Sequence, residues 1–264
     1  MNRIDILFRD LKKRRRKALI VYIAAGDPGI SATERFIHEL EGCGVDLIEL
    51  GIPFSDPLAD GPTIQRASER ALSKGVNIRT ILAMVRRARK KAGLPIVFMT
   101  YYNLVLHYGI KKFISNAKNA GADGIIIPDL PPEEGSTLIE ESRKKDFAAI
   151  FLAAPTSTKE RLRAIANKTS GFLYYVSLTG TTGARARLPG EVAKKVKAIK
   201  RLTKKPVCVG FGISGPEQAG KISRSSDGVI VGRAVIKVIE KNLGKSDLHK
   251  KVISFVKSLE RAVH

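Results

Sequence analysis

The chain has 264 residues, close to the roughly 250 of one eight-stranded α/β barrel and more than a small sandwich uses. Apolar residues make up 44% and charged residues 27% of it, with no polar tail, so the whole length can bury a core and disorder is excluded as its main state. Lys plus Arg exceed Asp plus Glu by 47 − 25, a net charge of +22, which raises polyanions as partners before any motif is read.

In chain order, a helical stretch at Ile4–Lys13 leads through the basic run Lys12–Lys17 to an apolar segment, Ala18–Ala25. That run is the longest clean one and is far short of the roughly 20 residues that span a bilayer. No apolar leader opens the chain, so a cytoplasmic protein with no membrane partner is expected. Short β-branched runs then alternate with helical periodicity. Strands are expected at Leu19–Ala24, Asp46–Leu50, Ile96–Thr100, Gly124–Ile127, Ala149–Leu152, Phe172–Val176, Val207–Gly210 and Val229–Val231. The wide second interval holds two helices, Pro62–Ser73 and Ile78–Lys90, and a last helix covers Leu248–Ala262.

Eight such units without a linker predict one domain over residues 1–264, a (β/α)8 TIM barrel with extra N-terminal and C-terminal helices. An open doubly wound sheet uses the same units, but the even spacing favours closure. In a closed barrel, chemistry belongs at the C-terminal ends of the strands.

The basic runs Lys12–Lys17, Arg86–Lys91, Arg143–Lys145 and Lys194–Lys205 sit mostly in helical segments with apolar stripes and read as solvated outer faces. The 6 Tyr and 10 Phe are not interleaved with them, so no specific nucleic-acid partner is expected. Cys43 and Cys208 form no CxxC pair, and His38, His107, His249 and His264 show no ligand spacing, which predicts a reduced protein without a metal site.

After the second strand the chain reads Glu49-Leu-Gly-Ile-Pro-Phe-Ser-Asp-Pro-Leu-Ala-Asp60-Gly-Pro. Alternation puts Val45, Leu47 and Glu49 on one face, so an inward Glu49 is a carboxyl at the mouth of a dry barrel, where desolvation favours its protonated form. That makes it an acid–base candidate; a strand-end Glu paired with a lysine is the structural alternative. Asp60 has an ordinary reading as a helix N-cap and Asp56 as a turn former.

Gly210-Phe-Gly-Ile-Ser-Gly215 matches the dinucleotide pattern GxGxxG, but no acidic residue closes the next strand, which runs into Val231-Gly-Arg233. Gly215–Lys221 imitates a Walker A box, with Ile222 where a magnesium-binding hydroxyl belongs. The reading that survives joins Gly210 and Gly212 to Gly232-Arg233-Ala234 as a phosphate cradle after the seventh and eighth strands. Thr179-Gly-Thr-Thr-Gly183 reads as a mobile lid or an ordinary turn.

These residues resemble the alpha subunits of tryptophan synthase. The likeness rests on Leu47–Pro62, with support from Met99-Thr-Tyr-Tyr-Asn103, Asp129-Leu-Pro-Pro-Glu-Glu134, Thr182-Gly183 and Gly210-Phe-Gly-Ile-Ser214. It implies a barrel lyase that cleaves indole-3-glycerol phosphate to indole and glyceraldehyde 3-phosphate, with Glu49 as general acid and base and Asp60 stabilising the cation that develops on the ring. It further implies a pocket of Tyr22, Met99, Ile126 and Tyr174, a lid threonine at Thr182, and a phosphate site at Gly183, Gly212, Gly232 and Arg233, where serine is more usual at the last position.

The implied partner is a beta subunit that carries pyridoxal phosphate, in an alpha2beta2 tetramer. Asp56 in the Pro53–Pro57 loop would lie at the contact, and no cofactor is implied for this chain itself. Two readings stand beside this one: another phosphate-binding barrel enzyme, which the phosphate loops alone allow, and a basic non-catalytic scaffold, which the charge allows.

Overall fold

The computed structural model describes residues 1–177, 189–210 and 212–264. Among these, β1 (Ala18–Ala24), β2 (Leu47–Gly51), β3 (Ile96–Met99), β4 (Gly124–Ile126), β5 (Ala148–Ile150), β6 (Leu152–Ala153), β7 (Leu173–Val176), β8 (Val207–Gly210) and β9 (Gly228–Val231) form one parallel sheet in the order β5-β4-β3-β2-β1-β9-β8-β7-β6. The two ends of that order, β5 and β6, are separated in the chain by Phe151 alone, so the sheet closes on itself as a TIM barrel. The fifth expected strand is thus one barrel position split in two. The Phe151 amide donates to Thr169 Oγ1 at 3.0 Å instead of to a neighbouring strand, which interrupts the ladder there.

Helices coat the outside: α1 (Arg3–Lys13), α2 (Ile30–Glu41), α3 (Pro62–Leu72), α4 (Ile78–Ala88), α5 (Tyr102–Tyr108), α6 (Ile110–Ala120), α7 (Ser136–Lys144), α8 (Lys159–Lys168), α9 (Pro189–Lys200), α10 (Pro216–Ser223), α11 (Arg233–Lys241) and α12 (Leu248–Val263). The helix pair α3 and α4 fills the wide second interval as expected. A second pair, α5 and α6, was not legible as two helices. Gly109, at φ +89°, breaks what reads as one continuous helical segment.

Strand register fixes which side chains fill the barrel. Tyr22 pairs with Glu49, Glu49 with Val97, and Tyr174 with Cys208, so these share the interior face. Outward neighbours such as Val21, Ile48, Phe98 and Val209 are fully buried under the helices. The N-terminal end of the barrel is closed by α1, whose Phe8 ring packs on Phe172 at 5.7 Å.

Carboxylates pin the starts of the strands at this end. Asp46 accepts the Leu19 amide at 2.8 Å, Asp123 the Ile96 amide at 3.0 Å, and Asp227 the Val207 amide at 2.9 Å. Asp123 is also paired with Arg89 and Arg3 at 3.2 and 2.9 Å. Removing one member of a buried ion pair strands the other, so Asp123→Ala is expected to cost about 3–5 kcal/mol. Urea unfolding would measure it; a loss under 1 kcal/mol would show that the pair contributes little.

Candidate active site

A cavity of about 310 Å³ opens at the C-terminal ends of the strands, within the size range of small-molecule sites. Its walls come from many strands and loops at once: Tyr22 in β1, Glu49 in β2, Ala59, Asp60 and Gly61 before α3, Met99 in β3, Tyr174 in β7, and Gly212, Gly232 and Arg233 beyond β8 and β9. Two glycines make the interior wide enough. A side chain at Gly51 would collide with the Tyr22 phenol, and one at Gly210 with the Tyr174 phenol. Both tyrosines can lie inward only because their neighbours have no Cβ.

Glu49 points into this cavity and is 1% exposed. Among the described residues, which include every lysine, no lysine or arginine pairs with it, which removes the lysine-paired alternative, and its Oε2 has no hydrogen-bond partner. Burial, reinforced by the nearby Asp60 charge, raises its pKa to about 8. At neutral pH the group therefore holds its proton.

Asp60 is also buried, but its surroundings differ. Desolvation raises its pKa to about 6, and the Tyr101 hydroxyl facing its carboxylate holds the value down. The same hydroxyl accepts the Ala59 amide at 3.1 Å, and the Tyr101 ring lies 5.3 Å from Phe54, so one side chain of the third βα loop braces both ends of the loop carrying Asp60. The N-cap reading fails: the cap of α3 is Gly61, with no side-chain cap, and Pro62 needs no amide partner. The two carboxyls thus sit about two pH units apart, one protonated and one ionised near pH 7.

Tyr22, Met99 and Tyr174 line the cavity as expected. Ile126 does not. It is buried in register with Met99 and Ile150, and Pro128, two residues on, lines the cavity. Sequence reading also missed Tyr101, although it lies inside the Met99–Asn103 motif, and the apolar walls Ile64, Leu152, Val176, Ile213 and Ile230.

Gly212 has φ +80°, a left-handed conformation that favours glycine. Gly232 caps α11 without a side chain over the first amides, and Arg233 opens that helix at the rim of the cavity. An anion lying there would meet bare N–H groups and the positive helix end. The Walker-like stretch Gly215–Lys221 is the cap and body of α10, not a phosphate loop. Asp56 is exposed in the loop after β2, two residues before Leu58, which is 75% exposed. Thr182 and Gly183 lie outside the described residues. Among those described, no three His, Cys, Asp or Glu side chains are grouped to hold a metal ion, and no helix is long and apolar enough to cross a membrane.

Comparison with known proteins agrees over the whole length. The family model described as tryptophan synthase alpha chain matches residues 8–264. The tryptophan synthase alpha chain of Caldanaerobacter subterraneus subsp. tengcongensis is 49% identical over 263 residues, covering all of both chains. That of Geotalea daltonii is 48% identical, over 100% of this chain and 99% of the relative. The crystal structure of tryptophan synthase subunit alpha from Legionella pneumophila str. Paris superposes with a TM-score of 0.93 at 40% identity, covering 100% of this chain and 98% of that one. A barrel with a paired-carboxyl cavity and this degree of full-length identity leave one assignment: the chain belongs to the tryptophan synthase alpha chain family.

Proposed function

We propose that this chain is the lyase that cleaves indole-3-glycerol phosphate to indole and glyceraldehyde 3-phosphate in L-tryptophan biosynthesis, working through Glu49 and Asp60. The observation that carries the reading is the buried Glu49 carboxyl with an unpartnered oxygen facing the cavity. In the substrate, the bond to be broken joins indole C3 to a carbon bearing a hydroxyl. An indole carbanion is a poor leaving group, so C3 must gain a proton first. Protonated Glu49 supplies it, and the positive charge that appears on the ring nitrogen is stabilised by ionised Asp60. The Glu49 carboxylate then takes the hydroxyl proton. The C–O bond becomes a carbonyl, the C–C bond breaks, and its electron pair restores the indole ring, returning Glu49 to its starting state.

Tyr22, Met99 and Tyr174 hold the indole on this reading, with Ile126 behind them. Gly212, Gly232 and Arg233 take the phosphate together with Gly183, while Thr182 closes over the loop carrying Asp60. The whole chain, residues 1–264, acts as one domain in the cytoplasm. A beta subunit carrying pyridoxal phosphate receives the indole within an alpha2beta2 assembly, and the exposed Asp56 and Leu58 on the β2 loop suit that contact. The chain itself is assigned no cofactor.

Incubation of the purified protein with indole-3-glycerol phosphate should release indole; no release, alone or with a beta subunit, would overturn the assignment. The phosphate site has its own test. Gly212→Val places a branched side chain on a left-handed residue at the cradle and should weaken glycerol 3-phosphate binding at least tenfold in calorimetric titration. Moderate salt removes nonspecific attraction to the +22 surface. Unchanged affinity in the folded variant would mean that phosphate binds elsewhere.

A further inference from the structure

The fold brings the chain's basic runs to one end. Each of the four runs conspicuous in the sequence, Lys12–Lys17, Arg86–Lys91, Arg143–Lys145 and Lys194–Lys205, finishes at a turn that enters a strand: β1, β3, β5 and β8 respectively. In a parallel barrel all such turns lie on the N-terminal face, opposite the catalytic cavity. A cation in the last turn of a helix answers the helix dipole, but these runs continue past the helix ends.

Most acids of this face are engaged, Asp146 with the N-terminal amine among them; Asp5, exposed beside Asp146, is the exception. Asp46, Asp123 and Asp227 pin strand amides, Glu41 accepts the Gly93 and Leu94 amides, and Glu260 pairs with Arg16. Arg14, Lys91, Lys145 and Lys204 are exposed and form no ion pair among the described residues, Glu141 lying near Lys145 without contact. What remains is a wide cationic face with little to neutralise it.

From this we propose that the N-terminal face of the barrel docks the phosphate backbone of duplex nucleic acid without reading its sequence. Two observations select this partner. No Phe or Tyr among the described residues is exposed, so the face offers no platform for stacking unpaired bases, which points to a duplex. A membrane surface fits less well, because the apolar side of α1 (Ile4, Phe8, Leu11) is buried against the barrel, which leaves only Met1 and Ile6 exposed there, too little apolar surface for a helix to insert. Phosphate contacts alone give sequence-independent binding with a steep salt dependence.

The test compares two folded variants of equal charge change. One carries Arg14→Gln, Lys91→Gln, Lys145→Gln and Lys204→Gln on the N-terminal face. The other carries Arg79→Gln, Lys111→Gln, Lys159→Gln and Lys237→Gln, in the early turns of outer helices and outside the four runs. Binding of a mixed-sequence 24-base-pair DNA duplex is followed by fluorescence anisotropy from about 50 to 200 mM salt, with circular dichroism as the check on folding. The first variant should lose at least tenfold in affinity near 150 mM salt. Its salt slope should fall by about 0.9 for each phosphate contact removed. The second should stay within about threefold of the parent.

Equal losses in both variants would mean diffuse attraction by net charge and would overturn the proposal. So would no measurable duplex binding by the parent near 150 mM salt, or binding to phosphatidylserine vesicles with none to the duplex. Because the substituted residues are remote from the cavity, the outcome is independent of the lyase reading.

Discussion

Glu49→Gln should bind substrate and fold normally while releasing indole at least 10² to 10⁴ times more slowly, the usual range for loss of a general acid–base. Glutamine is close to glutamate in shape and can donate a hydrogen bond, but it cannot deliver a proton to carbon or accept one from the hydroxyl. The substitution therefore separates chemistry from packing. Stopped assays of indole should show the fall in kcat with little change in KM. Activity within a few fold of the parent would remove Glu49 from the mechanism.

The same substitution carries an expectation for stability with a definite sign. The folded-state pKa of Glu49 is raised from 4.5 to about 8, so the folded protein binds this proton more tightly than the unfolded chain does. Stability from this group is present below about 4.5 and is lost as pH rises toward 8, since ionisation inside the barrel is opposed by desolvation. Glu49→Gln lacks that slope. Its melting temperature should exceed the parent's by a margin that widens between pH 5 and 8, the pattern expected where a site gives up stability for function. A margin constant with pH would show that Glu49 titrates no differently in the folded and unfolded chains.

What the sequence could and could not disclose follows from the range of the forces involved. Glu49 facing inward was readable because alternation along one strand is local: Val45 and Leu47 set the face, and the carboxyl continues it. The glycines after the last two strands were readable from their spacing alone, and Gly212 and Gly232 both line the cavity. Asp60 was not, since an Asp before Gly-Pro and a helix suits an N-cap equally well. Only the Tyr101 side chain, arriving from a different βα loop, shows what surrounds its carboxylate. The split of the fifth strand at Phe151 likewise depends on Thr169, a partner remote in the chain. Ile126 is buried in the ladder beside Met99, and Pro128, two residues on, lines the cavity, a distinction that alternation along so short a strand does not make. Local pattern thus fixes faces and turns, while the mouth of a barrel is assembled from loops whose packing is not local.

Asp60→Asn tests the second carboxyl, and here the two readings of the residue predict opposite observables. If Asp60 holds the cation that develops on the indole nitrogen, the neutral amide should slow cleavage about 10²- to 10³-fold, the scale for removing one preorganised electrostatic partner. Stability should hardly change, because Gly61 rather than Asp60 caps α3. The pH profile adds a signature that damage to the fold would not produce. In the parent, the acid limb of kcat/KM should follow Asp60 near pH 6 and the alkaline limb Glu49 near pH 8. In Asp60→Asn the acid limb should vanish. The alkaline limb should move to lower pH, because the Asp60 charge is one of the two causes that raise the Glu49 pKa. A residual rate with both limbs unmoved would show that the carboxyls do not share one field, and the division of labour between them would have to be abandoned.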